Sequence, residues 1–234
     1  MRCFTIAVVA AVFIAPTQPT RGAGQESAAD TPTFQPSDIQ TEVSRVYVFV
    51  EKSGLGHQHG VEAKLSASTL VLGATVNAGK LVFDMTSFNA DTPRARKYVG
   101  LSGTTDDDTR SAVNSNMKSE AILNVSRYPT ATYEVASAKA TGQTSGKGLP
   151  MYRLDGQFTL RGVRRPLSAM VEVEQARGWL HVRGNFTIRQ TDYGITPYSR
   201  AFGAVGVANE LRIYGDLFVA PTQHVSMNDI PARK

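Results

Sequence analysis

Apolar and polar residues alternate with a period of two along most of this chain, and that period predicts strands. Val46, Val48 and Val50 alternate with Tyr47, Phe49 and Glu51. Val61, Ala63, Leu65 and Ala67 alternate with Glu62, Lys64, Ser66 and Ser68. Leu81, Phe83 and Met85 follow a turn at Asn77-Ala78-Gly79, and Ala131, Tyr133 and Val135 follow Pro129. The clearest block is LDGQFTLRGVRRPLSAMVEVE, where Tyr152, Leu154, Phe158 and Leu160 face one way and Arg153, Asp155, Gln157, Thr159 and Arg161 the other. A turn with Gly162 and Pro166 reverses it, and Leu167, Ala169, Val171 and Val173 resume the alternation. Further on, Leu180, Val182, Phe186 and Ile188 share a face, and so do Leu211, Ile213, Leu217 and Val219. Eight or nine sequential strands separated by turn signals predict an all-β fold, an antiparallel barrel or sandwich.

One segment breaks the period. In DDDTRSAVNSNMKSEAILNVS, Val113, Met117 and Ala121 recur every four residues. The spacing predicts one or two helical turns within 106–126, capped by Asp108, with Asp106 and Asp107 favouring the positive end of the helix. Such an insertion covers one end of a barrel. The three aspartates lack the alternating oxygen ligands and bend glycine of a calcium loop. Gly156, Gly184 and Gly215 each stand on the apolar face of a strand. Inward glycines suit a sheet that coils tightly. Eight strands enclose an interior that side chains fill or that holds one slender ligand.

The ends read differently. Arg2, the apolar run from Cys3 to Ala15 and the small residues Gly22-Ala23-Gly24 predict a signal peptide over 1–24, and with it a periplasmic or secreted protein; an uncleaved anchor is the alternative. Residues 25–43 read as a flexible linker, 44–220 as the folded domain and 221–234 as a disordered tail. Cleavage after Gly24 removes two arginines and lowers the net charge from +5 to +3. The sole cysteine, Cys3, lies in the leader, so the mature domain has no disulfide, thiol nucleophile or cysteine-ligated zinc.

Candidate chemistry is sparse. No G-x-S-x-G elbow, H-E-x-x-H or glycine-rich phosphate loop occurs, so no enzyme and no cofactor is predicted. No nucleic-acid signature stands out, and Arg161, Arg164 and Arg165 on a hairpin read as a solvated turn or as contacts for anionic lipid headgroups. GHQHG places His57 and His59 two apart, so on a strand both rings face one side. Such a pair suits zinc, copper or nickel if His181 or a carboxylate adds a third ligand, a polar headgroup contact at a barrel mouth, or a structural turn. Asp192 is expected to hold a strand end by accepting backbone amides.

Four segments together resemble the YceI-like family, lipocalin-like bacterial proteins. They are VNSNMKSEAILNVSRYPTATYE; LDGQFTLRGVRRPL, similar to the family hairpin at Gly156, Thr159, Gly162, Val163, Arg165 and Pro166; FTIRQTDYGI, similar at Phe186, Ile188, Asp192, Tyr193, Gly194 and Ile195; and the closing strand after Asn209-Glu210. Several features depart from the family, the first strand with its EKSGLGHQHGVEA among them. Asn116-Met117 stands where His-Leu is common, and Gln190 or the preceding Arg189 fills an arginine slot. The resemblance implies a lipocalin-like antiparallel β-barrel with a long apolar tunnel. It also implies non-catalytic binding, storage or transport of a long-chain isoprenoid or acyl lipid. Phe83, Phe158, Leu160, Phe186, Ile188, Leu211 and Ile213 are then the candidate lining residues, with His57 and His59 at the headgroup. The alternative is a metal-binding or pH-responsive envelope protein using the two histidines. Transient membrane contact and a homodimer through a sheet edge complete the expected partners.

Overall fold

The hairpin β7 (Pro150–Leu160) to β8 (Val163–Ala176) turns on two residues, Arg161 and Gly162. Both have positive φ, 52° and 76°. That is the type I′ geometry whose twist matches paired strands. Pro166 is not in the turn. It pairs with Gln157 inside β8, a correction to its expected place. It is tolerated because the ladder from β8 to β9 (Trp179–Arg189) runs only from Met170↔Asn185 to Ala176↔Trp179. Arg177 and Gly178, with φ of 51° and 81°, make the next tight turn in the same way.

The computed structural model describes residues 34–222. Its other strands are β1 (Arg45–Gly54), β2 (His59–Ala63), β3 (Thr69–Leu70), β4 (Gly79–Asp84), β5 (Asn89–Ala90), β6 (Thr130–Thr144), β10 (Ser199–Arg200) and β11 (Val205–Val219). All pairings are antiparallel, in the order β3-β4-β6-β7-β8-β9-β11-β1-β2-β5, with β10 against β11. The two ends of this ribbon meet. Ser66 N donates to Val82 O at 2.8 Å and Asp84 N to Lys64 O at 3.1 Å, which joins the segment after β2 to β4. The result is the expected all-β, lipocalin-like barrel of eight main strands. The period-two face is its inside: Val48, Val61, Phe83, Tyr133, Leu154, Val182 and Leu217 are all buried.

Gly156 and Gly184 show why glycine stands on that face. A Cβ on Gly156 would lie 2.1 Å from Glu134 O and 3.0 Å from Tyr133 Cε2, so the phenol ring rests where a side chain would be. The Tyr133 hydroxyl lies 2.9 Å from Leu154 O and 3.1 Å from Leu167 O, tying β6 to β7 and β8. A Cβ on Gly184 would lie 2.4 Å from Met170 O, whereas one on Gly215 would meet nothing closer than Leu217 Cγ at 3.8 Å. Gly184→Ala is therefore expected to cost about 2–3 kcal/mol, and Gly215→Ala to stay within about 1 kcal/mol of the parent. Urea unfolding of the two variants checks both.

Two helices interrupt the strands. α1 (Pro93–Tyr98) was not anticipated. Thr92 caps it, accepting from Ala95 N at 3.0 Å, and proline occupies its first turn. Its Tyr98 ring stacks on Tyr47 at 3.8 Å, which buries a residue expected on the wet face. Burial drives both phenol pKa values upward, with the nearby Asp216 charge adding to the shift. α2 (Asp107–Lys118) lies where a helix was expected but runs 12 residues, over three turns. Its cap is Asp106, not Asp108: Asp106 Oδ1 accepts from Thr109 N at 2.8 Å, while Asp107 and Asp108 sit in the first turn. These bonds hold the Asp106 carboxyl below its ordinary pKa.

Part of the segment read as linker belongs to the barrel. Ser37 N donates to Ala220 O at 2.8 Å, Ile39 bridges Val219, and Ile39 is 4% exposed. Phe34 meets the Trp179 ring edge-on at 4.9 Å. The expected signal peptide and most of the expected tail lie outside the described residues. Among the described residues, no helix is long and apolar enough to cross a membrane.

Candidate functional site

The antiparallel order sends every long connection carrying a helix to one end of the barrel, here called the upper end. The β1–β2 loop, α2, the β7–β8 turn and the segment 190–204 lie there, while α1 leaves that end to pack along the outer wall of β1 and β2. Beneath α2 the upper interior is hollow, with a cavity of about 180 Å³. Phe83, Phe158, Leu160, Phe186, Ile188, Leu211 and Ile213 all stand in its wall, so the structure brings the seven apolar candidates together. Phe158 is their hub. Its ring meets Phe83 at 6.1 Å, Phe186 at 5.8 Å and Tyr193 at 5.7 Å, each near edge-to-face.

Further wall residues were visible in the alternation but not singled out: Val46, Val48 and Val50 on β1, and Val61 on β2. α2 roofs the cavity with Val113 and Met117, the four-residue recurrence in the sequence, and Leu123 closes behind them. Asn116 and Met117, which replace the family's His-Leu, both face the cavity, as does Gln190. Gln190 is 4% exposed and its Nε2 donates to Ala208 O at 2.8 Å. A space of this size would take on the order of a dozen waters, but so few polar wall groups give them little to bind.

Lower down, Tyr133, Leu154, Val182 and Leu217 nearly fill the barrel, leaving a second hollow of about 40 Å³. Val46, Phe83 and Phe186 line both spaces and partition them. The long tunnel implied by the family resemblance is therefore divided here into a large upper and a small lower chamber.

His59 stands at the rim. It lines the apolar cavity and also an outer polar basin shared with Lys52, His57, Gln58, Arg96 and Asp106. Its Nδ1 lies 2.6 Å from Asp91 Oδ2. Asp91 Oδ1 accepts from Gly60 N and from Arg96 Nη1, both at 3.1 Å, and the Asp91 side chain is fully buried. Burial alone would raise the Asp91 pKa. The bond and charge of His59, the Gly60 amide and Arg96 outweigh it and hold the carboxyl below its ordinary value. Asp91 has φ of 54°, a left-handed turn that aims the carboxylate back into β2. Nothing in the sequence singled it out, because Gly60 and His59 are 31 and 32 residues away and Arg96, five residues on, belongs to no motif with it.

The two histidines do not lie on one strand, although both line the outer basin. His57 is exposed in the loop before β2, and His59 opens the strand, so the alternation that would align them does not reach His57. His181 pairs with Phe218 near the other end of β11 and bonds to Asp216. Among the described residues no group of three or more His, Cys, Asp or Glu could hold a metal ion. The arginines of the β7–β8 turn are partly or largely exposed, and each also makes a contact with a neighbouring segment. Arg161 donates to Gly194 O and Glu120 O, Arg164 pairs with Glu134, and Arg165 donates to Asp192 O. The Asp192 carboxylate, expected to accept amides, is exposed. Asn209 Oδ1 takes Thr191 N at 3.0 Å instead.

A lipocalin-like barrel with an apolar chamber and a polar rim is an architecture suited to holding a small apolar molecule. The chain belongs to the YceI-like family, whose domain model matches residues 38–217. A UPF0312 protein of Ectopseudomonas mendocina is 32% identical over 117 residues, covering 47% of this chain and 58% of that protein. One from Azotobacter vinelandii is 30% identical over 116 residues, covering 47% and 57%. The chain thus spans somewhat over half the length of the curated relatives it matches. Burkholderia cenocepacia BcnA superposes with a TM-score of 0.50 at 15% identity, over 77% of this chain and 99% of that one. A polyisoprenoid binding domain from Saccharophagus degradans, implicated in plant cell wall breakdown, gives 0.53 at 14% identity, over 79% and 97%. At such identities the likeness shows the fold.

Proposed function

We propose that this protein binds, stores or carries a long-chain isoprenoid or another amphiphilic lipid, without catalysis, in the periplasm or after secretion. The observation that carries the reading is the upper chamber, where seven apolar side chains from β4, β7, β9 and β11 converge beneath an α2 roof. Family membership and the polyisoprenoid-binding neighbour support the ligand class. The chain of the lipid lies among Phe83, Phe158, Leu160, Phe186, Ile188, Leu211 and Ile213. Its head points to His59, with His57 on the outer basin. A tail longer than the upper chamber requires Phe83 and Phe186 to turn and open the lower one. Asp91 fixes the His59 ring at Nδ1, which leaves Nε2 for the head. The test is native mass spectrometry of the folded protein from its own envelope, followed by lipid extraction. A stoichiometric long-chain lipid is the expected result. Protein that is empty and takes up no added prenyl lipid would overturn the reading.

A further inference from the structure

The exposed apolar side chains of the upper end lie side by side. Leu55 is 81% exposed, Phe202 113% and Val205 37%. They cap a three-stranded tongue in which Val205 of β11 pairs with Gly54 of β1 and with Arg200 of β10. Leu55 N donates to Ala204 O at 2.9 Å, joining the two loops that carry Leu55 and Phe202. Glycines make this contact close: a Cβ on Gly56 would lie 2.5 Å from Gly206 O, and one on Gly206 2.7 Å from Tyr198 O. Ala201 and Phe202 both take left-handed φ, 49° and 55°. That conformation is unfavourable for a bulky residue, and here it delivers a phenyl ring wholly into solvent.

The surroundings say what fits. Lys52 and Arg200 are exposed on the same tongue, with the Arg200 guanidinium 5.6 Å from the Tyr198 ring. One carboxylate, Glu51, lies nearby and accepts from Gln58 Nε2 and Lys52 N, so the two cations outnumber it. Apolar tips flanked by cations match a bilayer surface with anionic headgroups. The tongue is also continuous with the cavity, because Tyr198 and Val207 line it. We infer that the tongue docks on an anionic phospholipid membrane, with Leu55 and Phe202 entering the acyl region and Lys52 and Arg200 among the headgroups. The cavity mouth then faces the membrane from which a lipid enters. This purpose rests on the lipid-binding reading.

The test places the reporter at the tip. The natural indole, Trp179, starts β9 at the opposite end. In the full chain carrying Trp179→Phe and Phe202→Trp, vesicles of phosphatidylcholine with phosphatidylglycerol should shift emission to the blue and protect the new indole from iodide. Leu55→Ser with Phe202→Ser should weaken vesicle partitioning on the order of tenfold or more. Lys52→Gln with Arg200→Gln should remove on the order of tenfold of the preference for phosphatidylglycerol. An indole that stays quenchable in vesicle-bound protein overturns the inference. So does unchanged partitioning of the serine variant, or a dimer that this variant dissolves with no loss of partitioning. Uptake of a dispersed fluorescent prenyl probe, measured without vesicles, tests the cavity by itself. Its failure would sink the lipid reading and leave docking standing.

Discussion

Asp91→Ala is expected to remove about 3–5 kcal/mol of stability, because it breaks a buried charge network from the centre. The carboxylate accepts from the Gly60 amide and receives Arg96 Nη1 and His59 Nδ1 as well. Its loss leaves Arg96, whose side chain is 13% exposed, without its carboxylate. Asp91→Asn keeps the shape and should cost less. The same network sets a pH dependence. The folded pKa of Asp91 is depressed, so above the ordinary carboxylate range, about 4, this group's contribution is complete. As pH falls through the depressed value, the folded state must take up the proton it resisted, and the contribution disappears. Urea midpoints measured from neutral to acid pH should show the parent converging on Asp91→Ala. A neutral-pH difference below about 1 kcal/mol would mean that the network behaves as a surface ion pair.

Ala131→Trp is expected to abolish lipid uptake while leaving the fold intact. Ala131 is 2% exposed, pairs with Phe83 and stands in the wall of the upper chamber. An indole there grows into space that is already hollow, so the usual cost of overpacking is largely avoided. Each methylene kept out of the chamber forfeits about 0.8 kcal/mol. Excluding four of them weakens binding by about two hundredfold. Titration with a fluorescent prenyl probe, alongside urea unfolding, separates the effects. Uptake that survives in a folded Ala131→Trp variant would place the lipid elsewhere.

The wall of the cavity was legible because it obeys a local rule. Phe158 and Leu160, or Phe186 and Ile188, announce their common side within one strand, and antiparallel pairing does the rest. What escaped was made by contacts between distant segments. Tyr47 reads as an outward residue until Tyr98 of α1 covers it, and α1, six residues long, is too short to show a period. The Thr92-Pro93 pair was its available signature. Asp91 works through a positive φ and a histidine 32 residues away, neither of which leaves a local trace. The histidine pair misled for the opposite reason: the period-two rule was extended past the point where β2 begins. The apolar chambers divide at Val46, Phe83 and Phe186, which line both, a matter of side-chain packing that alternation does not encode.

The incomplete ladder between β8 and β9 has a consequence for life at high concentration. From Val163 to Ala169 the strand is paired on its β7 side but has no partner in register on β9. An unfinished edge of this kind invites a strand from another molecule. Pro166 removes one amide donor from the stretch, the exposed Arg165 gives it positive charge, and Arg164 is drawn away across β7 to Glu134. Pro166 and Arg165 contribute little to the core. They make the notch a poor template for a foreign strand, and so help keep a barrel with an open flank from growing into an aggregate.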